Sequence, residues 1–565
     1  MIIRLLLALL CCATCNFGFY ESKTWLDLLY YEKIANGYIS LTKSDHFFVT
    51  KNGRFDPKQE YLESLLLVNS QDENFKKKFP LRYKLIAEKN DIEYLPIVDV
   101  KKDVKRATIA FPNRYMGNPA SMFGHLFVIL NSEYGLYHSD IVHFIADASS
   151  SNGVNYVLNG LSGKFKGAFV RDKYYIKIKE YTYSEDRQLY FYNLALSSKQ
   201  IYELQLHIME LRGVFFDYYF LEKNCAYFIA KLLNNISEDS IEMGDFVVLP
   251  SDIINNLISN KKITERYFKP SSNSFFEYLY NELSYQEKKD VKFLLFNPHS
   301  KKVFSDNSLK SFLYVSNYAI HNFSDYAGVI RSNRIYAYRS LLEKGVSFER
   351  PTINSFDSVE PVISRFSGAY VSSDKRYQLW YKPISYGNLD EFFSLQTKKV
   401  SLFSPSLSLD EFGAFQFQFQ TAEILNRVPY NVVLANNSWK IQQSIYVKDT
   451  NVYFDADFSF GLGVPFKNKM LLTSSGGITA SNFNSLDYKD LGYFGLMPLY
   501  EVELSYNNLF NLRPFSAAVS FVHRCKRDYI NVNAKWLFGN NKVLELGIRS
   551  YSKDVNSYVS LGKLF

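Results

Sequence analysis

Three kinds of hydrophobic pattern follow one another along this chain. From Tyr20 to about Asn90, apolar residues recur at helical spacing, as in TWLDLLYYEKIAN with Trp25, Leu28, Leu29 and Ile34. Asp56-Pro57 reads as an N-cap followed by a proline at the first helical position, and EYLESLLLV continues that helix. From about Lys105 to Leu196 the pattern changes to short apolar or alternating runs: RATIAFP, HLFVIL, IVHFIAD, KYYIKIKEY and LYFYNLAL. Gly- and Ser-containing loops separate them, which predicts strands of one antiparallel sheet. KQIYELQLHIMELRG then carries Ile201, Leu204, Ile208 and Leu211 on one helical stripe, and a second amphipathic helix starts near Cys225. A sheet followed by helices predicts an α+β domain. Residues 251–344 read as helices once more (SDIINNLISN, NSFFEYLYNEL, SYQEKKDVKFLLF, NRIYAYRSLLEKG).

From about Val359 the chain becomes a succession of roughly ten-residue runs of alternating polarity. They are RFSGAYVSS, YQLWYKPIS, AFQFQFQTAEI, KIQQSIYVKD, NVYFDADFSFGLG, YEVELSYNN, FSAAVSFVHR, YINVNAKWLFG, KVLELGIRSYS and SYVSLGKLF. Strands of ~9–11 residues with one apolar face are what a transmembrane β-barrel requires, and a sheet in lipid must close on itself. The chain ends on Phe565, which shares a strand face with Leu561 and Val559, although Lys563 lies on that face too. The competing expectation is a soluble all-β sandwich or an open sheet packed on the helices. The layout expected is a leader over 1–19, a helical N-terminal domain over 20–104, an α+β domain over 105–250, a helical connector over 251–350 and a β-barrel over 351–565.

Composition sharpens this picture in three places. The start, MIIRLLLALLCCATCNFGFY, has one basic residue and an apolar run too short to span a bilayer, which predicts an export signal. No other run reaches the ~18 residues of a membrane helix. The formal charge of +8 over 565 residues is mild and spread out, and the short runs Lys76-Lys77-Lys78 and Lys101-Lys102 read as solvated faces, so no nucleic-acid partner is expected. The 44 tyrosines and 48 phenylalanines are many for a soluble enzyme and crowd the second half.

Beyond the leader only Cys225 and Cys525 remain, 300 positions apart, so no disulfide framework is expected. Cys225 stands in FDYYFLEKNCAYFIAKLLNN, where Asn224 is a favoured N-cap and the thiol falls in the first helical turn. Unpaired N–H groups and the helix dipole there favour a thiolate, which makes Cys225 a nucleophile candidate as well as a plausible small core residue. Cys525, in FVHRCKRDY at a strand end, is expected to be dispensable. An activated thiol needs a base within reach and a third group to orient that base. Of eight histidines, His125 follows a Gly-containing turn at the start of an apolar strand, and His143 lies eighteen residues on, in a strand able to pair with it. His207 sits beside the stripe of the amphipathic helix. Glu180 and the group Glu185, Asp186, Arg187 read as ion pairs at strand ends. No cofactor or metal set is visible.

The segment from about Asn113 to Leu249 resembles the Lnb N-terminal periplasmic domain family. The likeness rests on NPASMFGH, EYTYSEDRQLYFYNL, HIMEL, VVLPSDIINNL and, most specifically, FDYYFLEKNCAYFIAKLL. SDHFFVTKNGRFDPKQE and FPLRY are similar to the helical lead-in that often precedes it. Such domains are similar to permuted papain-like thiol enzymes, in which the His strand precedes the Cys helix, as His125 precedes Cys225 here. The resemblance implies His125 as base and Cys225 as nucleophile, with side chains within ~4 Å. Where the family usually has Asn-Tyr-Ala-Ala, this chain has His143-Phe144-Ile145-Ala146, so His143 would stand in for an amide-bearing residue. Some members transfer acyl chains to the amino terminus of lipoproteins and carry helical membrane segments, where this chain carries alternating strands.

The sequence therefore predicts a permuted papain-like α+β domain with helical flanks and a C-terminal antiparallel barrel. It would be a thiol hydrolase or acyltransferase in the outer membrane, with the catalytic domain facing the periplasm and a lipid, lipoprotein or other envelope substrate. The alternatives are a cell-wall peptidase or amidase, and a non-catalytic assembly or transport component.

Overall fold

The computed structural model describes residues 18–94, 100–113, 115, 121, 124–147, 153–237, 240–244, 247–269, 271, 276, 280, 282–299, 302–346, 365–371, 376–382, 384–386, 397–409, 415–427, 437–448, 451–466, 470–481, 495–507, 515–524, 527–538, 542–551 and 554–564. The expected leader up to residue 17, Cys525 and Phe565 lie outside the described residues. The chain divides into two compact units, 1–277 and 278–565.

The first unit opens with helix α1 (Lys23–Leu28) and the hairpin β1 (Tyr31–Ile34) and β2 (Gly37–Ser40). YYEKI was expected to continue the helix. Tyr30 instead takes a left-handed conformation at φ 58°, which an α-helix cannot absorb, and the chain turns into a strand. Helices α2 (Pro57–Asn69), α3 (Glu73–Lys78) and α4 (Pro80–Lys89) follow. As predicted, Asp56 caps α2, accepting from the Lys58 and Gln59 N–H groups, with Pro57 at its first turn.

A seven-stranded antiparallel sheet comes next. Its members are β3 (Val104–Pro112), β4 (Phe127–Ser132), β5 (Asp140–Asp147), β6 (Phe165–Lys173), β7 (Leu189–Leu194), β8 (Phe215–Tyr218) and β9 (Ile263–Lys269), in the order β8-β6-β5-β4-β3-β7-β9. Helix α5 (Gly153–Leu161) joins β5 to β6, and α6 (Tyr174–Lys179) follows β6. Helices α7 (Ser198–Glu210), α8 (Cys225–Asn234) and α9 (Pro250–Ser259) complete the unit. Two expectations are corrected here. KYYIKIK was read as a strand because Ile and Lys alternate, but Tyr174 and Ile178 are buried four apart on α6. ITERYFK was read as part of a helical run, but it pairs with β7, and Tyr267 stacks flat on Phe191 with ring centroids 4.6 Å apart.

One core runs through this unit, from Trp25, Tyr61 and Ile86 through Val128 and Phe144 to Phe228 and Leu257. The N-terminal helices thus share the core of the sheet domain. Buried polar groups reinforce the junction: Arg82 pairs with Glu60 at 3.0 Å, both fully buried, and the Arg82 N–H donates to Glu210 on α7. Removing either partner would strand a buried charge at a cost of about 3–5 kcal/mol.

The second unit contains α10 (Tyr285–Phe296), α11 (Asp306–Asn322) and α12 (Ala327–Glu343), packed on one another, and then the barrel. Its strands are β10 (Arg365–Val371), β11 (Arg376–Lys382) with its short continuation β12 (Ile384–Tyr386), β13 (Thr397–Leu409), β14 (Phe415–Arg427), β15 (Ser438–Lys448), β16 (Asn451–Phe466), β17 (Met470–Ser481), β18 (Gly495–Asn507), β19 (Phe515–Arg524), β20 (Arg527–Phe538), β21 (Lys542–Tyr551) and β22 (Asp554–Leu564). β11 and β12 both pair directly with β13, every other strand pairs antiparallel with its successor, and β10 also pairs with β22, so the sheet closes with twelve strands. Two of them, β13 and β17, escape the alternation read from sequence. β13 contains Pro405 and four serines, and β17 is rich in Thr, Ser and Gly, so neither shows an unbroken apolar face.

The barrel is inside-out relative to a soluble protein. Along β16, Phe458, Phe460, Leu462 and Val464 face outward and are exposed, while Asp455, Asp457 and Ser459 are buried inside. Along β18, Tyr500, Val502 and Leu504 are exposed and Glu501, Glu503 and Ser505 are buried. A sandwich would bury the apolar face between sheets. An apolar exterior over a closed, polar-lined sheet is the arrangement that lipid imposes. The barrel is of outer-membrane type.

Candidate active site

Helix α8 begins on the cysteine. Asn224 is its N-cap: Oδ1 accepts the N–H groups of Ala226 (2.9 Å) and Tyr227 (3.2 Å), and Nδ2 donates to the carbonyls of Val248 (2.6 Å) and Phe220 (3.2 Å). The amide therefore both starts the helix and ties it to two loops. The helix is held by its apolar face, where Phe228 stacks on Phe144 of β5 at 4.1 Å. Cys225 is free and only 4% exposed.

His125 is placed by the turn before β4. Gly124 sits at φ +90°, and a side chain there would meet the Phe111 ring at 2.3 Å, so the close approach requires glycine. The His125 N–H donates to the Pro112 carbonyl, which also receives Arg187 Nη2 at 2.9 Å. Leu126, the next residue, directs its N–H at the Cys225 sulfur. The base candidate and the thiol are thus carried by adjoining segments. His125 is half-buried, and its Nε2 atom is buried with no hydrogen-bond partner.

His143 lies on β5, which pairs with β4 so that Phe127 faces His143. The two imidazoles approach edge to face, with centroids 6.2 Å apart. His143 Nε2 bonds Asp172 on β6 at 3.0 Å, leaving Nδ1 buried and unpartnered. Asp172 lies two residues from Val170, the strand partner of His143, and so on the same face, which is how it reaches the ring.

The electrostatics correct one expectation. Burial pushes the Cys225 thiol above its usual range, against the pull of the Leu126 N–H, the Tyr218 hydroxyl, the Ala226 N–H and the Arg187 charge. The helix start was expected to yield a thiolate, but at this depth desolvation outweighs the dipole. Burial likewise pushes His125 well below its usual value, helped by His143, Arg187 and Lys177. His143 is lowered by burial and by Lys177, with Asp172 and Glu180 acting in the opposite direction. The resting site holds a neutral thiol and neutral imidazoles, an arrangement suited to proton removal during attack rather than to a preformed ion pair.

Sequence reasoning missed three neighbours. Tyr218, buried at the end of β8, interacts through its hydroxyl with both the main chain and the thiol of Cys225. Arg187, read as a strand-end ion pair, is buried, bonded to Glu185 and to the carbonyls of Pro112 and Asn113, and stacked over Tyr181 at 5.0 Å. Asp172 could have been found from the alternation of FKGAFVRDK beside IVHFIAD. His207 belongs elsewhere: it is bonded to Tyr30, Glu210 and Asn235 in the core. Among the described residues no cluster of His, Cys, Asp or Glu could hold a metal ion.

Residues 96–260 match the family model of the Lnb N-terminal periplasmic domain, and residues 18–89 match a domain of unknown function, DUF7843. No curated protein matches the chain. Over 36% of this chain, the barrel region is similar to solved porin structures. These include the KdgM porin in complex with disordered oligogalacturonate (9% identity, 98% of that chain, TM-score 0.24) and the NanC porin (8%, 98%, 0.24). The Acinetobacter baumannii outer membrane protein Omp33 is a third (10%, 36% of this chain and 99% of that chain, TM-score 0.22). The membrane assignment stands on the closed sheet and its apolar exterior. This outer-membrane chain carries an Lnb N-terminal periplasmic domain over residues 96–260 and ends in a closed twelve-stranded β-barrel.

Proposed function

We propose that the chain is a thiol-dependent acyl hydrolase or acyltransferase of the cell envelope, permuted papain-like in its catalytic domain. Cys225 is the nucleophile, His125 the base, and His143 the residue that orients His125, itself braced by Asp172. The observation that carries the reading is the unpartnered, buried Nε2 of His125 on the segment whose next N–H addresses the Cys225 sulfur. In the first step the sulfur bonds to the acyl carbonyl carbon as its proton passes to His125 Nε2. Collapse of the tetrahedral adduct expels the leaving group, which takes that proton and leaves a thioester on Cys225. Water or an acceptor amine then attacks the thioester, His125 again relaying the proton. The Leu126 N–H and the Tyr218 hydroxyl, both directed at the sulfur, supply donors for the oxyanion. Anchoring by a barrel favours an acyl substrate that resides in a membrane, such as a lipid or lipoprotein.

Hydrolysis of a p-nitrophenyl acyl ester by the detergent-solubilised chain tests this. Cys225→Ser should reduce turnover to background, and His125→Ala should lower it by about 10²–10⁴-fold. Turnover that survives Cys225→Ser would remove the thiol from the mechanism. Equal inactivity of all three proteins, with Cys225 also inert to iodoacetamide, would favour the non-catalytic binding module that a buried, neutral thiol is compatible with.

A further inference from the structure

A cleft of about 580 Å³ is lined by none of the residues of the thiol site. His46, Phe47, Lys77, Lys78 and Phe79 come from the N-terminal segment, and Arg171, Met209, Glu210 and Arg212 from the sheet domain. His46, Lys77, Lys78, Arg171 and Arg212 are exposed at its rim, over a floor of buried Phe47, Phe79 and Glu210.

The charges there are unbalanced. Among the described residues Lys77, Lys78 and Arg212 have no carboxylate partner. Arg171 shares the single carboxylate of Asp140 with Lys101 and Lys173. Glu210, the acidic group of the floor, is already engaged by the Arg82 N–H and by His207. Lys77, Lys78 and Arg212 lie at or just beyond the C-terminal ends of α3 and α7, where the helix dipoles welcome cations. About half a charge from each helix end offsets only part of this excess. Like charges gathered from three separate segments repel one another unless an anion joins them.

We propose that this cleft is an anion-binding site for a phosphate-bearing ligand, either a phospholipid-type headgroup or free phosphate. Two lysines and two arginines match an anion of more than one charge, and the guanidinium groups suit the oxygens of a phosphate. The volume exceeds that of a bare ion and falls in the range of small-molecule pockets, and the partly exposed Met209 offers an apolar contact to the rest of the molecule. The site also gives the N-terminal segment, which presents no chemistry of its own in sequence, a direct share in ligand recognition. The proposal does not depend on the thiol chemistry.

Titration calorimetry of the full chain in a non-ionic detergent, at low salt, tests it with inorganic phosphate and sn-glycerol 3-phosphate as probes. Saturable binding of one ligand per chain is expected, weakening as salt rises. Tighter binding of glycerol phosphate identifies a headgroup site, and equal binding identifies a phosphate site. The triple variant Lys77→Glu, Lys78→Glu, Arg212→Glu should weaken binding at least about tenfold. The pair Lys288→Glu, Lys289→Glu, on α10, should not change it. Arg212→Gln, a milder change at an exposed position, should still weaken binding if the triple variant does not fold. Absence of saturable binding by either probe, or equal loss in the α10 pair, would overturn the proposal.

Discussion

The proposed pairing of Cys225 with His125 has a definite pH signature. Because burial holds His125 well below its ordinary value, the imidazole stays an unprotonated base in mild acid. The acid limb of kcat/KM for the ester assay should therefore fall below the ~6.5 of an ordinary histidine. Because burial raises the Cys225 thiol, alkylation by iodoacetamide should still be climbing at alkaline pH, where an activated thiolate would have reached its plateau. Asp252 makes a second, independent test. Burial raises its carboxyl to about 6, with only the Leu249 N–H acting against the shift. A raised acid favours the fold while protonated, and that contribution is lost as pH rises from ordinary carboxylate values through about 6. Asp252→Asn should thus stabilise the periplasmic domain at pH 7–8 by about 1–2 kcal/mol and do little at pH 4, as read by thermal unfolding. Cys225, His125 and His143 could be singled out as candidates because helix-start and strand positions leave local marks. Tyr218 and Arg187 could not, since their relation to the thiol depends on burial and tertiary neighbours that no local pattern encodes, whereas Asp172 was within reach of the strand alternation.

Single elements carry the next level of the account. Asn224 joins α8 to two loops by four hydrogen bonds, so Asn224→Ala should cost about 2 kcal/mol and loosen the placement of the thiol. Its expected signature is lower kcat in the ester assay together with faster hydrogen exchange at the start of α8. In the barrel, a side chain at Gly477 on β17 would collide with the Phe458 carbonyl of β16 at less than van der Waals contact. Gly477→Ala should abolish the heat-modifiable folded form, whereas Gly368→Ala on β10, with its nearest contact at 3.5 Å, should retain it. The elements read correctly from sequence are those whose burial follows their period, such as α2 and α7. The misread ones owe their form to something the period hides: the left-handed Tyr30 that ends α1, the four-apart burial of Tyr174 and Ile178, and the serine-lined interior face of β13.

At the scale of the molecule, a soluble-type α+β unit and a barrel with inverted polarity lie on one chain. The barrel was legible because lipid imposes a period of two on ten of its twelve strands, β13 and β17 excepted. The shared core of the N-terminal helices and the sheet was not, because a core has no sequence mark of its own. Unheated full-length protein should migrate faster than boiled protein in a gel, and it should leave the membrane fraction only with detergent. Recovery in the soluble periplasmic fraction would contradict the barrel. The central claim, acyl transfer through Cys225, is tested most directly by intact and peptide mass spectrometry of the solubilised chain after incubation with envelope lipid extract. The result predicted is an acyl adduct on the Cys225 peptide, released by hydroxylamine and missing in Cys225→Ser. An unmodified Cys225 peptide, alongside turnover of the ester substrate by the same preparation, would contradict it.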